Sequence, residues 1–173
     1  MVNRNITDVR GVTIGAMLLA ISVITLYIQT LLPVANFTLY MLSSFYIAFV
    51  IIETGPKAGW LFYFASIILA LIFVPDKLFL IPYVLFFGIY GMAKYYIEKL
   101  RKLPLEWALK IIFFNIALGI LILFFRELII GSITLPDFPV FILIAALEAA
   151  FIAYDYLYTM VIGFYVKRIK VSK

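Results

Sequence analysis

The run from Val12 to Leu32 contains no Asp, Glu, Lys or Arg, and that stretch alone fixes the solvent in which the chain must fold. A helix rises about 1.5 Å per residue, so crossing a hydrocarbon layer of about 30 Å takes roughly 20 apolar residues. The run is long enough. The rest of the chain has the same character: of 173 residues, 66% are hydrophobic and 13% charged, with a mean hydropathy of +1.17. An ordinary soluble domain is about half apolar and a quarter charged. Too little polar surface exists here to cover the apolar surface in water. The first run also lacks a small-residue cleavage site followed by a polar region, so it reads as a helix that stays, not as a cleaved leader.

Segmentation at charge, Gly and Pro predicts six spans, at about 12–32, 38–52, 58–74, 78–97, 107–125 and 138–166. The second and third are joined by Glu53-Thr-Gly-Pro-Lys57, where Gly55 and Pro56 do not readily continue a helix. With the N-terminus inside, the inner connections carry Arg4, Arg10, Lys57, Lys94, Lys99, Arg101, Lys102, Lys110, Lys167, Arg168, Lys170 and Lys173, and the outer ones only Lys77 and Arg126. That asymmetry is the positive-inside pattern. The expected fold class is therefore an all-α integral membrane protein, one compact bundle of six transmembrane helices over 1–173 with both termini cytoplasmic. The inner 94–110 connection reads as a basic amphipathic segment with Tyr95, Tyr96 and Trp107 at interfacial depth, suited to anionic lipid head groups or a cytoplasmic partner.

There is no Cys and no His. This removes disulfides, thiol nucleophiles, imidazole bases, haem ligation and Cys or His metal sites. No nucleophile or general base stands out, so no catalytic residue, metal or cofactor is assigned and the chain is not read as an enzyme. The net charge of +5 belongs to the inner loops and not to a nucleic-acid surface.

Three groups of residues carry information. On the first helix, Gly15, Ala16 and Ala20 are small; Ala16 and Ala20, four apart, share a face that another helix can approach closely. On the last, Glu148 and Asp155 lie near mid-span, where a carboxylate costs about 2.5–3.5 kcal/mol on insertion scales unless it faces the bundle interior or a cavity. They are seven residues apart, about 10 Å along a helix, too far to share a proton. Tyr154, Tyr156, Tyr158, Thr159 and, from the fifth helix, Asn115 add polar groups. This set reads either as a binding pocket or as a buried network that locks helix packing. At the opposite side from the basic loops lie Asn36, Asp76, Lys77, Arg126 and Glu127. Arg126 is expected to meet a carboxylate or an anionic group on a solute, and Lys77 to serve loop solvation. Pro82, Gly88 and Gly91 predict a kink or close packing in the fourth helix.

Ala16-Met-Leu-Leu-Ala20 and Gly55-Pro56-Lys57-Ala58-Gly59, together with the length and the six spans, resemble the substrate-binding S components of energy-coupling factor transporters. Those subunits often carry Ala-xxx-Ala in the first helix and a Gly-Pro-x-x-Gly link between the second and third. The resemblance implies a chain in the cell membrane of a prokaryote that captures a small vitamin-like molecule and works with a membrane T component and two cytoplasmic ATPases. It places the solute near the outer face, held by the fourth to sixth helices and capped by the loops at 33–37 and 75–77. Tyr83, Asn115, Glu148, Asp155 and Tyr158, with Asn36, Asp76 and Arg126, occupy those places. It also assigns Gly15, Ala16 and Ala20 to the T-component interface. The absence of a Gly-x-x-x-x-Gly-Lys-Ser/Thr loop agrees with energy supplied by partners. Cobalt and nickel members use an N-terminal His, absent here, so a metal cargo is not expected. Two readings from other classes stay open: a stand-alone proton-coupled carrier that titrates Glu148 and Asp155, and a membrane assembly factor.

Overall fold

A computed structural model describes residues 3–32, 36–130 and 140–170, with side chains over 9–32, 37–123, 142 and 144–168. The described residues are all helical or in short connections, with no strand among them. Six helical segments are long and apolar enough to cross a membrane: Val9–Leu31, Phe37–Thr54, Pro56–Phe73, Lys77–Glu98, Leu103–Leu123 and Ile144–Arg168. The backbone falls into two compact units, Met1–Leu100 and Arg101–Lys173.

The first unit contains α1 (Asn3–Leu31), α2 (Asn36–Thr54), α3 (Pro56–Phe73) and α4 (Gly88–Glu98). The turn between α2 and α3 consists of Gly55 alone. Its φ of 96° lies in the region open to glycine without a Cβ penalty, and Pro56 stands in the first turn of α3, where its missing N–H costs nothing. At the other end of α3, the Lys77 ammonium donates to the carbonyls of Leu71 and Val74, so this lysine caps a helix C-terminus. The core of the unit gathers Tyr46, Ile47, Val50, Ile51, Phe62, Tyr63 and Met92. Its exterior is apolar: Val12 and Leu61 are more than 70% exposed, while Ser22, Gln29, Ser43, Ser44 and Ser66 are fully buried. A helix group with hydrocarbon outside and hydroxyls inside is suited to lipid, because only the interior supplies hydrogen-bond partners there.

The second unit contains α5 (Leu103–Ile130) and α6 (Val140–Tyr165), the latter ending in a π-helical turn, Val166–Lys170. The helices on either side of the expected 94–110 connection extend into it, leaving only Lys99–Lys102 between them. Lys94 is buried inside α4 beside Glu98 at 2.6 Å, and Lys110 is buried inside α5. Each has a carboxylate within reach, which removes its need for water. The solvated cations of this connection are therefore Lys99, Arg101 and Lys102, all exposed, and Arg101 takes a φ of 54°. Tyr95, Tyr96 and Trp107 are exposed beside them.

Candidate functional site

Between α3 and α4 the chain does not form one continuous helix. It runs as a 3-10 turn, Lys77–Leu80, then a π-helical turn, Tyr83–Phe87, before α4 begins. Asp76 opens the 3-10 turn by accepting from the Leu78 N–H at 2.9 Å. Pro82 follows and can donate no backbone hydrogen bond. Beyond it the Gly88 N–H bonds the Tyr83 carbonyl, five residues back, where an α-helix would have used Val84. The Val84 carbonyl is thereby released, and the Tyr63 hydroxyl of α3 donates to it at 2.8 Å. In the same way the Tyr40 hydroxyl of α2 donates to the Phe79 carbonyl. Irregular backbone at membrane depth persists where neighbouring side chains satisfy the freed groups, and here two tyrosines do so.

Around this break lies a buried polar seam. Ser22, Thr25 and Gln29 occupy one face of α1, facing inward with Leu26. Thr25 Oγ1 meets the Tyr46 hydroxyl at 3.3 Å, and Ser66 Oγ meets the Tyr83 hydroxyl at 2.8 Å. Tyr40 stacks on Phe87 with centroids 5.1 Å apart. Ser22 Oγ and both amide atoms of Gln29, all fully buried, complete no hydrogen bond among the described residues, although Ser22 lies beside the Tyr83 hydroxyl and Gln29 beside that of Tyr40. Buried polar atoms without partners are uncommon because each forfeits its hydration.

In the second unit α5 and α6 run antiparallel and meet through a ladder of three side-chain pairs. The Lys110 ammonium donates to Asp155 Oδ2 at 2.9 Å, with both side chains about 95% buried. Phe114 and Phe151 stack face to face with centroids 4.6 Å apart. The Asn115 amide donates to Glu148 Oε1 at 2.6 Å and to the Ile111 carbonyl of its own helix. Tyr158 is fully buried with its ring edge against Tyr154, and the Thr159 hydroxyl donates to the Asp155 carbonyl.

The residues marked by sequence thus separate by environment. Asp155 is matched by a cation, Glu148 by an uncharged amide, and Tyr83 is enclosed by Ser66 and the helix break. Asp76 caps a turn. Asn36 and Arg126 lie on the backbones of α2 and α5, and their side chains fall outside the described residues, as do the 33–35 and 131–139 connections. Lys110 was missed as the partner of Asp155, although its position inside an apolar span marks it as a cation that needs an internal carboxylate. Gln29 and Ser22 were missed as interior groups; their spacing of seven within an otherwise apolar run is the available signal.

A groove of about 700 Å³ lies on the same unit as the polar seam, lined among others by Gly11, Gly15 and Ala16 of α1, Glu53 and Thr54 of α2, and Ala58 and Ala65 of α3. Ala16 and Ala20 are exposed, and a Cβ added at Gly15 would meet nothing within 4 Å. No family model, curated protein or solved structure matches the chain.

Proposed function

We propose that this protein is the substrate-capture subunit of a membrane importer of the energy-coupling factor kind: it binds a small vitamin-like solute from outside and delivers it through a T component driven by two ATPases. The observation that carries the reading is the small-residue groove along α1. Gly15 and Ala16 line it together with Ala58 and Ala65, and their small size allows a partner helix to approach the backbone closely, whereas Gly11 already packs against Thr54 of α2. Ala20 continues the strip on the exposed side of α1. The Gly55–Pro56 turn adds support, since it brings α2 and α3 beside α1 at the end where Glu53 and Thr54 border the groove.

The test has two parts. Purified protein in lipid nanodiscs is screened against a panel of vitamins and precursors by scintillation binding, and its co-purification with a T component is compared for the wild type, Ala16→Leu and Ala20→Leu. Saturable binding of one solute, with partner capture lost in both variants while folding is kept, supports the reading. Indifference to the whole panel, or partner capture unaffected by bulky residues at 16 and 20, defeats it.

A second reading draws on the Lys110–Asp155 pair. Ion pairs inside a membrane occur in proton pathways, which favours a self-sufficient proton-coupled carrier. That protein would accumulate its solute without partners when a pH gradient is imposed.

A further inference from the structure

The α5–α6 ladder holds three ionisable groups at membrane depth, Lys110, Asp155 and Glu148. Lys110 and Asp155 neutralise one another at 2.9 Å. Glu148 is left with the Asn115 amide as its partner among the described residues, and an amide carries no charge to offset a carboxylate. The ladder is therefore one positive charge short. Glu148 is half-buried and Asn115 exposed, whereas the ion pair is closed off, so the deficit falls at the less buried rung. Glu148 lies eight residues into α6 from Val140, about 12 Å, and Asp155 fifteen residues in, about 22 Å. The unmatched carboxylate is thus the one nearer the end of the hairpin that the proposed topology turns outward.

We infer that Glu148 is the recognition group for a solute carrying a single organic cation, an ammonium or a protonated ring nitrogen, and that Asn115 is the positioning residue that aims it. This deepens the capture reading and rests on it. A carboxylate at this depth gains from a cation what water would otherwise supply. The Asn115 bond to Oε1 leaves Oε2 and the remaining lone pairs to accept from an N–H donor. Phe151, three residues on and on the same face as Glu148, is buried and stacks with Phe114; Phe114, half-buried and next to Asn115, is the aromatic surface near the charge and favours a flat, apolar body on the solute. A metal ion is a poor fit: no group of three or more acidic, His or Cys side chains exists among the described residues, and one carboxylate with one amide leaves most of a metal's coordination unfilled.

The experiment uses the full chain in nanodiscs with 15N-labelled asparagine. There are four asparagines in the sequence, so the Asn115 side-chain amide is assigned by its loss in Asn115→Gln. Benzylammonium and benzyl alcohol, nearly the same in shape and differing in charge, are titrated in parallel. The expected result is a saturating shift of the Asn115 amide signal with benzylammonium, binding about tenfold to a hundredfold weaker for the alcohol, loss of the preference in Glu148→Gln and its retention in Glu148→Asp. Gln keeps the acceptor for Asn115, so Glu148→Gln is expected to fold; a thermal unfolding curve matching the wild type checks this. Equal response to both probes, or a cation preference that survives Glu148→Gln, overturns the inference. The two readings fail differently. If a neutral or anionic vitamin binds saturably and Glu148→Gln leaves its affinity unchanged, capture stands and the cation class falls. If neither the probes nor any member of the panel binds, both fall.

Discussion

Removing one member of the Lys110–Asp155 pair should be far more harmful than removing both. The side chains are 5% and 4% exposed and their charged atoms 2.9 Å apart, so Lys110→Met takes this counter-ion from a buried carboxylate and Asp155→Leu takes it from a buried ammonium. Breaking such a pair costs about 3–5 kcal/mol, whereas replacing both partners with apolar side chains is often neutral or stabilising by about 1–4 kcal/mol. The double variant Lys110→Met/Asp155→Leu is therefore expected to recover most of the stability lost in either single one, with a coupling energy above about 3 kcal/mol in the double-mutant cycle. Unfolding is followed in detergent by tryptophan fluorescence. The chain has two tryptophans; in a Trp60→Phe background the signal comes from Trp107, whose ring lies 5.4 Å from the Lys110 ammonium, so it reports on the unit that contains the pair. Single losses that simply add, within about 0.5 kcal/mol, would refute the reasoning, as would a double variant no more stable than the worse single one.

Three further outcomes follow from the first unit, each read as unfolding with Trp60 as reporter. Tyr63→Phe keeps the ring beside Trp60 but removes the donor to the Val84 carbonyl, and should cost about 1 kcal/mol; no change would mean that the released carbonyl needs no partner. Gly88→Ala places a methyl group 2.8 Å from the Tyr83 carbonyl oxygen, which the backbone cannot easily yield, and should cost about 1–3 kcal/mol. Gln29→Met removes two buried amide atoms that complete no hydrogen bond among the described residues and should stabilise by about 1–3 kcal/mol; a loss of stability would show that the amide is satisfied, with the neighbouring Tyr40 hydroxyl as the nearest candidate.

Much of the architecture could be read before any coordinates. The Gly55–Pro56 turn, the spanning runs and the kink or close packing expected around Pro82 depend on local backbone rules, and the structure has a turn at Gly55, six helices of spanning length and an irregular helix around Pro82. Partners were harder to read. The helices are apolar nearly all round, so periodicity does not reveal which face meets which neighbour; Lys110 reads as a loop cation because nothing in its own helix discloses a carboxylate on another, whereas Lys94 has Glu98 four residues on in the same helix, a spacing the sequence does show. Asp155 shows the difference most clearly. Sequence places it at mid-span as a candidate for solute contact, and only the antiparallel register of α5 and α6 brings Lys110 opposite. The π-helical turn at Tyr83–Phe87 was equally hidden, since it depends on Tyr63 of α3 being in position to accept responsibility for the Val84 carbonyl.

The sharpest measurement is solute uptake by proteoliposomes containing this chain alone. A capture subunit predicts saturable retention of the solute at no more than one molecule per protein, unchanged when a pH gradient is imposed, with accumulation appearing only when a T component and its ATPases are added. Gradient-driven accumulation by the chain on its own would contradict that account and establish a carrier instead.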